Sequence, residues 1–145
     1  MIALGSDHAG FGLKEKIKQY LEKKGLEIKD YGCFSEESVD YPDYAEKVAR
    51  AVSSNEAEKG ILICGTGIGM SIAANKISGI RAAVCWDEKS AEMSRRHNDA
   101  NILCIGARLI DQELALRIVD VWLSTGFDGG RHVKRVKKIN AITYE

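Results

Sequence analysis

Charge of one sign is not in excess: Lys and Arg number 21, Asp and Glu number 21, and the formal net charge is zero. That balance leaves no field to gather nucleic acid or an anionic membrane surface, so neither is expected as a partner. No apolar run approaches the roughly 20 residues that span a bilayer. The opening Met-Ile-Ala-Leu-Gly-Ser-Asp has neither the basic nor the apolar region of a secretory signal, and a cytoplasmic location is expected. The four cysteines, Cys33, Cys64, Cys85 and Cys104, include no Cys-x-x-Cys pair, and no Cys/His cluster has zinc-finger spacing. Disulfides and a metal or other cofactor are therefore not expected. Repeats, low-complexity tracts and linkers are also missing. One domain over 1–145 is expected, with a helical tail from about 129.

What is present is an alternation of short apolar runs and helical patterns. Ile2 to Ser6, Leu26 to Tyr31, Gly60 to Cys64, Arg81 to Cys85 and Ile102 to Ile105 read as strands. Leu13, Ile17, Tyr20 and Leu21 recur along one helical face, as do Ala45, Val48, Ala49 and Val52 behind Pro42. Further helices are expected from Gly69, from Asp87 and from Asp111, the two aspartates as N-caps. This alternation predicts a doubly wound, Rossmann-like α/β fold, a five-stranded parallel sheet with helices on both faces. The fifth helix carries apolar residues almost all round, with only Arg117, Asp120 and Ser124 as a polar stripe. A second chain packed on it is one explanation, and a C-terminal tail folded over it is the other.

The most specific segment is Cys64-Gly65-Thr66-Gly67-Ile68-Gly69-Met70-Ser71, where an apolar strand passes through three glycines into a helix. Glycines let backbone approach a ligand, and a helix N-terminus offers free N–H groups to an oxyanion. No Lys-Ser/Thr follows, which excludes a Walker loop, and the loop follows the third strand rather than the first. Cys64 precedes a helix N-terminus, a position that favours thiolate over thiol; the plain alternative is a buried strand cysteine. The first strand ends in Asp7-His8-Ala9-Gly10. In a doubly wound sheet the first and third strands flank the crevice where ligands bind, so Asp7 and His8 should face Cys64. Asp7 could instead simply cap a helix. His97-Asn98-Asp99 closes the fourth helix and is expected at the opposite edge of the sheet, so a catalytic His97 would have to serve a partner chain. The alternative for His97 is a cation at a helix C-terminus. Arg131 and Arg135, four apart after Gly129-Gly130, could grip one phosphate or be a solvated basic face.

Six stretches together resemble the ribose-5-phosphate isomerase B family. They are Gly5-Ser6-Asp7-His8, Val39-Asp40-Tyr41-Pro42-Asp43-Tyr44, Ile63 to Lys76, Gly79-Ile80-Arg81, Ser94 to Asn101, and Gly129-Gly130-Arg131-His132. The resemblance runs nearly end to end. It implies an aldose–ketose isomerase, with Cys64 as the base that moves a proton between C1 and C2 of the open-chain sugar. A branch of the family that uses a glutamate instead has it where Met70 stands here. By the same resemblance, Thr66 lies near the substrate oxygens, and Gly65, Gly67, Ile68 and Gly69 hold the enediolate. His97 of a partner subunit opens the furanose ring, assisted by Asp7. Asp7, His8 and Asn98 bind the sugar, Arg131 and Arg135 bind the phosphate, and Arg108 assists. The expected partner is a small sugar phosphate, and the expected assembly is a homodimer with shared sites or a tetramer. Allose 6-phosphate or galactose 6-phosphate are alternative substrates. A thiol-dependent redox enzyme and a non-catalytic phosphate-binding module are alternatives of different class; the first lacks a resolving cysteine, and the second has no use for Cys64, Thr66 and His97 together.

Overall fold

A computed structural model describes residues 1–142 of the protein. Its elements alternate as β1 (Ile2–Ser6), α1 (Phe11–Lys23), β2 (Ile28–Asp30), α2 (Tyr41–Ser53), β3 (Lys59–Cys64), α3 (Ile68–Ala74), β4 (Ala82–Val84), α4 (Glu88–Asn98), β5 (Ile102–Gly106), α5 (Gln112–Ser124) and α6 (His132–Ala141). The strands pair parallel in the order β2-β1-β3-β5-β4. β1 and β5 are buried along their whole length and β3 nearly so, as a strand covered on both faces must be. The winding reverses between β1 and β3, and the fold is the doubly wound α/β sheet that the alternation implies. Among the described residues no helix is long and apolar enough to cross a membrane.

Two apolar cores flank the sheet. On one face α1, α4 and α5 pack around Leu4, Ile17, Ile63, Leu103, Ile118 and Trp122. On the other, α2 and α3 pack around Val48, Val52, Leu62, Met70 and Cys104. Close approach of α2 depends on two glycines. A Cβ on Gly5 would stand 2.8 Å from Val48, and one on Gly60 only 2.6 Å from it. Missing side chains on β1 and β3 thus form the groove that Val48 fills. Helix starts follow the expected chemistry: Asp87 accepts from the Ser90 amide at 2.7 Å within a capping box, and Asp111 accepts from the Leu114 amide at 2.8 Å.

Two expectations are corrected. The apolar girth of α5 is covered within one chain: Ala115, Ile118, Val119 and Trp122 are buried, and Leu114, Leu116, Val121 and Leu123 are half-buried against the same core. Its polar stripe is engaged too, with Asp120 accepting from Tyr20 of α1 and from Lys24 just after it, and Arg117 pairing with Glu88 of α4. This helix does not call for a second chain. The other correction concerns His97. Because β5 inserts between β3 and β4, α4 returns to the middle of the sheet, and its last turn lies at the sheet's other end rather than its opposite edge. Gly60 at the start of β3 donates to Asn101, just after α4. Cys64 lies four strand residues further on, about 13 Å at 3.3 Å per residue.

Candidate functional site

The C-terminal ends of β1, β3 and β5 converge on one crevice. Asp7 and Cys64 end adjacent strands, and the Asp7 amide donates to Ile63 at 3.2 Å. Gly10 closes the first turn against β3, since a Cβ there would stand 2.3 Å from the Ile63 carbonyl oxygen. The Asp7 carboxylate, nearly buried, accepts the Gly10 amide at 3.0 Å and so ties the turn before α1; it is not the cap of that helix, whose N-cap is Gly10. His8 receives the Val39 amide on Nδ1 at 3.2 Å. That bond occupies Nδ1 and leaves Nε2 for a ligand.

The glycine loop wraps the sulfur of Cys64. The Gly67 amide donates to Cys64 Sγ at 3.1 Å. Gly67 has φ +80°, a conformation that suits glycine alone, and a Cβ there would touch the Ile105 carbonyl carbon at 3.0 Å. The Thr66 hydroxyl accepts the Ile68 amide at 3.2 Å, which leaves its own O–H to donate. Gly69 and Met70 present first-turn amides of α3, for which no acceptor is present among the described residues. The loop after β5 locks on from the side: Ala107 donates to Cys64 O at 2.8 Å and Arg108 to Gly65 O at 3.0 Å. The Arg108 side chain lies over Gly65, where a Cβ would stand 3.3 Å from Nη1. The Tyr41 ring likewise lies over Gly69, where a Cβ would stand 2.6 Å from it. Tyr41 was legible only as part of a motif, because nothing local says that the start of α2 reaches the α3 turn.

The four thiols differ in what surrounds them. Burial pushes the Cys85 thiol up to about 11 and the fully buried Cys104 thiol higher as well, so both stay protonated at neutral pH. Cys33 donates its S–H to Ser35 O at 3.3 Å. Cys64 alone among them receives a backbone N–H on sulfur at the mouth of the crevice.

His97, Asn98, Arg131 and Arg135 are not brought to this crevice. They gather at the other end of the sheet, where the end of α4 meets the start of α6. The His97 and His132 rings stack there, with centroids 4.4 Å apart and planes 15° apart. Burial, then the neighbouring His97 and the exposed Arg131 and Arg135, push the His132 imidazole down in pKa, while Asp128 acts against them. No metal-ligating cluster was expected, yet ligand atoms of His97, Asp128 and His132 lie within 4.8 Å of one another. Face-to-face rings aim their lone pairs side by side instead of at a common point, and Arg96 already holds both Asp128 oxygens at 3.1–3.2 Å.

A parallel sheet whose strand ends carry a thiol, a glycine loop and an Asp-His turn is the arrangement in which α/β enzymes bind small polar ligands. Comparison with known proteins narrows that class. The model of the ribose/galactose isomerase family matches residues 2–139. The chain is 54% identical to ribose-5-phosphate isomerase B of Escherichia coli over 141 residues, covering 97% of this chain and 95% of that one. A ribose 5-phosphate isomerase structure from Thermotoga maritima superposes with a TM-score of 0.95 at 60% identity, covering 97% of each chain. Ribose-5-phosphate isomerase B of Clostridium thermocellum does so with a TM-score of 0.95 at 57% identity, covering 96% and 94%. The chain belongs to the ribose/galactose isomerase family and is a sugar-phosphate isomerase of the aldose–ketose type.

Proposed function

We propose that the protein interconverts ribose 5-phosphate and ribulose 5-phosphate through an enediolate, in sites shared between two copies of the chain. The observation that carries this reading is the Cys64 sulfur, held by the Gly67 amide beside Asp7 and His8 at the strand ends.

The chemistry begins with the furanose. His97 of a second copy takes the anomeric hydroxyl proton and returns a proton to the ring oxygen, which breaks the C1–O4 bond and leaves an aldehyde at C1. Asp7 assists this step, and Asp7, His8 and Asn98 of the second copy hold the sugar hydroxyls. The Cys64 thiolate then removes the C2 proton, and the electron pair moves to O1 as the enediolate forms. Amides of Gly65, Gly67, Ile68 and Gly69 and the Thr66 hydroxyl stabilise that charge where it develops. Return of the proton from Cys64 to C1, with transfer of the O2 proton to O1, completes the ketose. Arg131 and Arg135 of the second copy, with Arg108, anchor the phosphate, so that remote binding energy aligns the reacting carbons. Each step redistributes protons within one sugar, so no oxidant or reductant is consumed.

Reach supports sharing. Cys64 and His97 of one chain sit at opposite ends of the sheet, whereas two groups acting on one pentose must lie within hydrogen-bond distance of it. Exposed apolar side chains support a docked copy beside the crevice: Ile68, Ile72, Trp86 and Leu109 are all more than half exposed at the Cys64 end of the sheet. The test is complementation. Cys64→Ala and His97→Ala chains are unfolded together, refolded and assayed on ribose 5-phosphate, with allose 6-phosphate in parallel. Mixed dimers should regain one intact site in two although each parent is nearly inactive. Mixed dimers that form but stay inactive overturn sharing, and faster turnover of allose 6-phosphate by the unmutated protein overturns the pentose assignment.

A further inference from the structure

An imidazole that opens a sugar ring must be held in one plane, and a hydrogen bond to its second nitrogen is the usual means. His97 has none: among the described residues no donor or acceptor bonds to its ring. What holds it is another ring, that of His132, stacked at 4.4 Å. The chain makes a specific effort to bring His132 there. Gly129 and Gly130 both take left-handed φ values, +71° and +55°, so the chain turns sharply into α6. Just before them the Asp128 amide donates to Arg96 O at 3.0 Å, and Arg96 Nε returns to the Asp128 carboxylate. This double link clamps the start of α6 onto the last turn of α4, beside His97. Arg81 ties down the far end of α6 through Asn140 at 2.9 Å.

From this geometry we infer that His132 is a positioning residue for ring opening, fixing the plane of His97 by stacking. The inference rests on the ring-opening role proposed for His97. His132 touches no reacting atom in this account; it acts through the face of its ring. Burial by neighbouring residues, with His97, Arg131 and Arg135 beside it, lowers its pKa, against the pull of Asp128. The face of a stacked ring supports the neighbouring imidazole by contact, which fixes its plane.

The experiment separates ring opening from enolisation. Ribulose 5-phosphate has no ring to open, so exchange of its C1 hydrogen with D2O, followed by NMR, reads the Cys64 step alone. Conversion of ribose 5-phosphate reads both steps. His132→Ala should lower ribose 5-phosphate turnover about 10- to 100-fold, the scale of a misplaced catalytic group, with C1 exchange kept within about twofold of the unmutated rate. His132→Phe, which keeps an aromatic face but has no nitrogen, should restore turnover to within about threefold of the unmutated protein. The inference is overturned if His132→Ala turns over ribose 5-phosphate normally, if C1 exchange falls in step with turnover, or if Phe is as poor as Ala. Undiminished ribose 5-phosphate turnover by His97→Ala would instead remove the ring-opening reading beneath it. A collapse in His97→Ala beside normal His132→Ala defeats the inference on His132 alone.

Discussion

Replacing Gly10 with Ala tests how the crevice is assembled. Gly10 has φ −93° and ψ −5°, which alanine adopts freely, so any cost is steric and not conformational. The added methyl would stand 2.3 Å from the Ile63 carbonyl oxygen and 2.6 Å from its carbon, roughly 1 Å inside ordinary contact, and the obstacle is backbone that cannot rotate away. Overpacking costs about 1–3 kcal/mol, and a backbone clash belongs at the upper end. For 145 residues at about 2.1 cal/mol/K each, 3 kcal/mol corresponds to a Tm lowered by roughly 10 °C. Relief by moving the Asp7–His8 turn away from Cys64 should also lower kcat/KM by up to about 100-fold. Gly12 is the control, because a Cβ there meets nothing within 4 Å. Gly12→Ala should raise Tm by about 1–3 °C through chain entropy and helix propensity. Thermal unfolding and an isomerase assay on both variants decide the matter. A Gly10→Ala protein with unchanged Tm and unchanged kcat/KM refutes the close approach of the β1 turn to β3.

Iodoacetamide at pH 8 should alkylate Cys64 in the folded protein and spare Cys85 and Cys104, whose burial keeps them as thiols; peptide mass spectrometry reporting Cys85 first would contradict this. Arg131→Ala and Arg135→Ala should each raise KM for ribose 5-phosphate about 10- to 150-fold, the loss of one charge-assisted bond at ~1.5–3 kcal/mol, with kcat changed less. An unchanged KM in both variants would leave these arginines as a solvated face. Lys14 is fully buried against Asp30, between the Phe11 and Phe34 rings. Lys14→Met should cost about 3 kcal/mol in urea unfolding, since Asp30 keeps only the Gly32 amide and, as its one ion pair, the longer contact to Lys18.

The parts of the fold that local pattern controls were legible. Apolar periodicity located every strand to within two residues, and the aspartate caps marked α4 and α5. The adjacency of β1 and β3 was legible from the doubly wound pattern, but the insertion of β5 between β3 and β4 was not, because no local signal marks it. That gap produced the misplacement of His97. The girth of α5 misled for a related reason: apolar periodicity counts faces but cannot say whether α1 and α4 or a second chain covers them. In the crevice, the Cys64 loop was readable because glycine spacing is a backbone requirement. The bond from Val39 to His8, the Tyr41 ring and the Arg108 guanidinium over the loop glycines, and the His97–His132 stack join residues distant in sequence, and no spacing rule announces them.

The central claim is that the Cys64 sulfur carries the proton between C1 and C2. Its most direct measurement is C1 hydrogen exchange of ribulose 5-phosphate in D2O by Cys64→Ala, alongside calorimetric binding of the same sugar. Loss of a general base predicts exchange slower by about 10²- to 10⁴-fold, with Kd near that of the unmutated protein because the phosphate anchor and loop amides remain. Exchange at the unmutated rate in that variant would place the base on another residue and contradict the account.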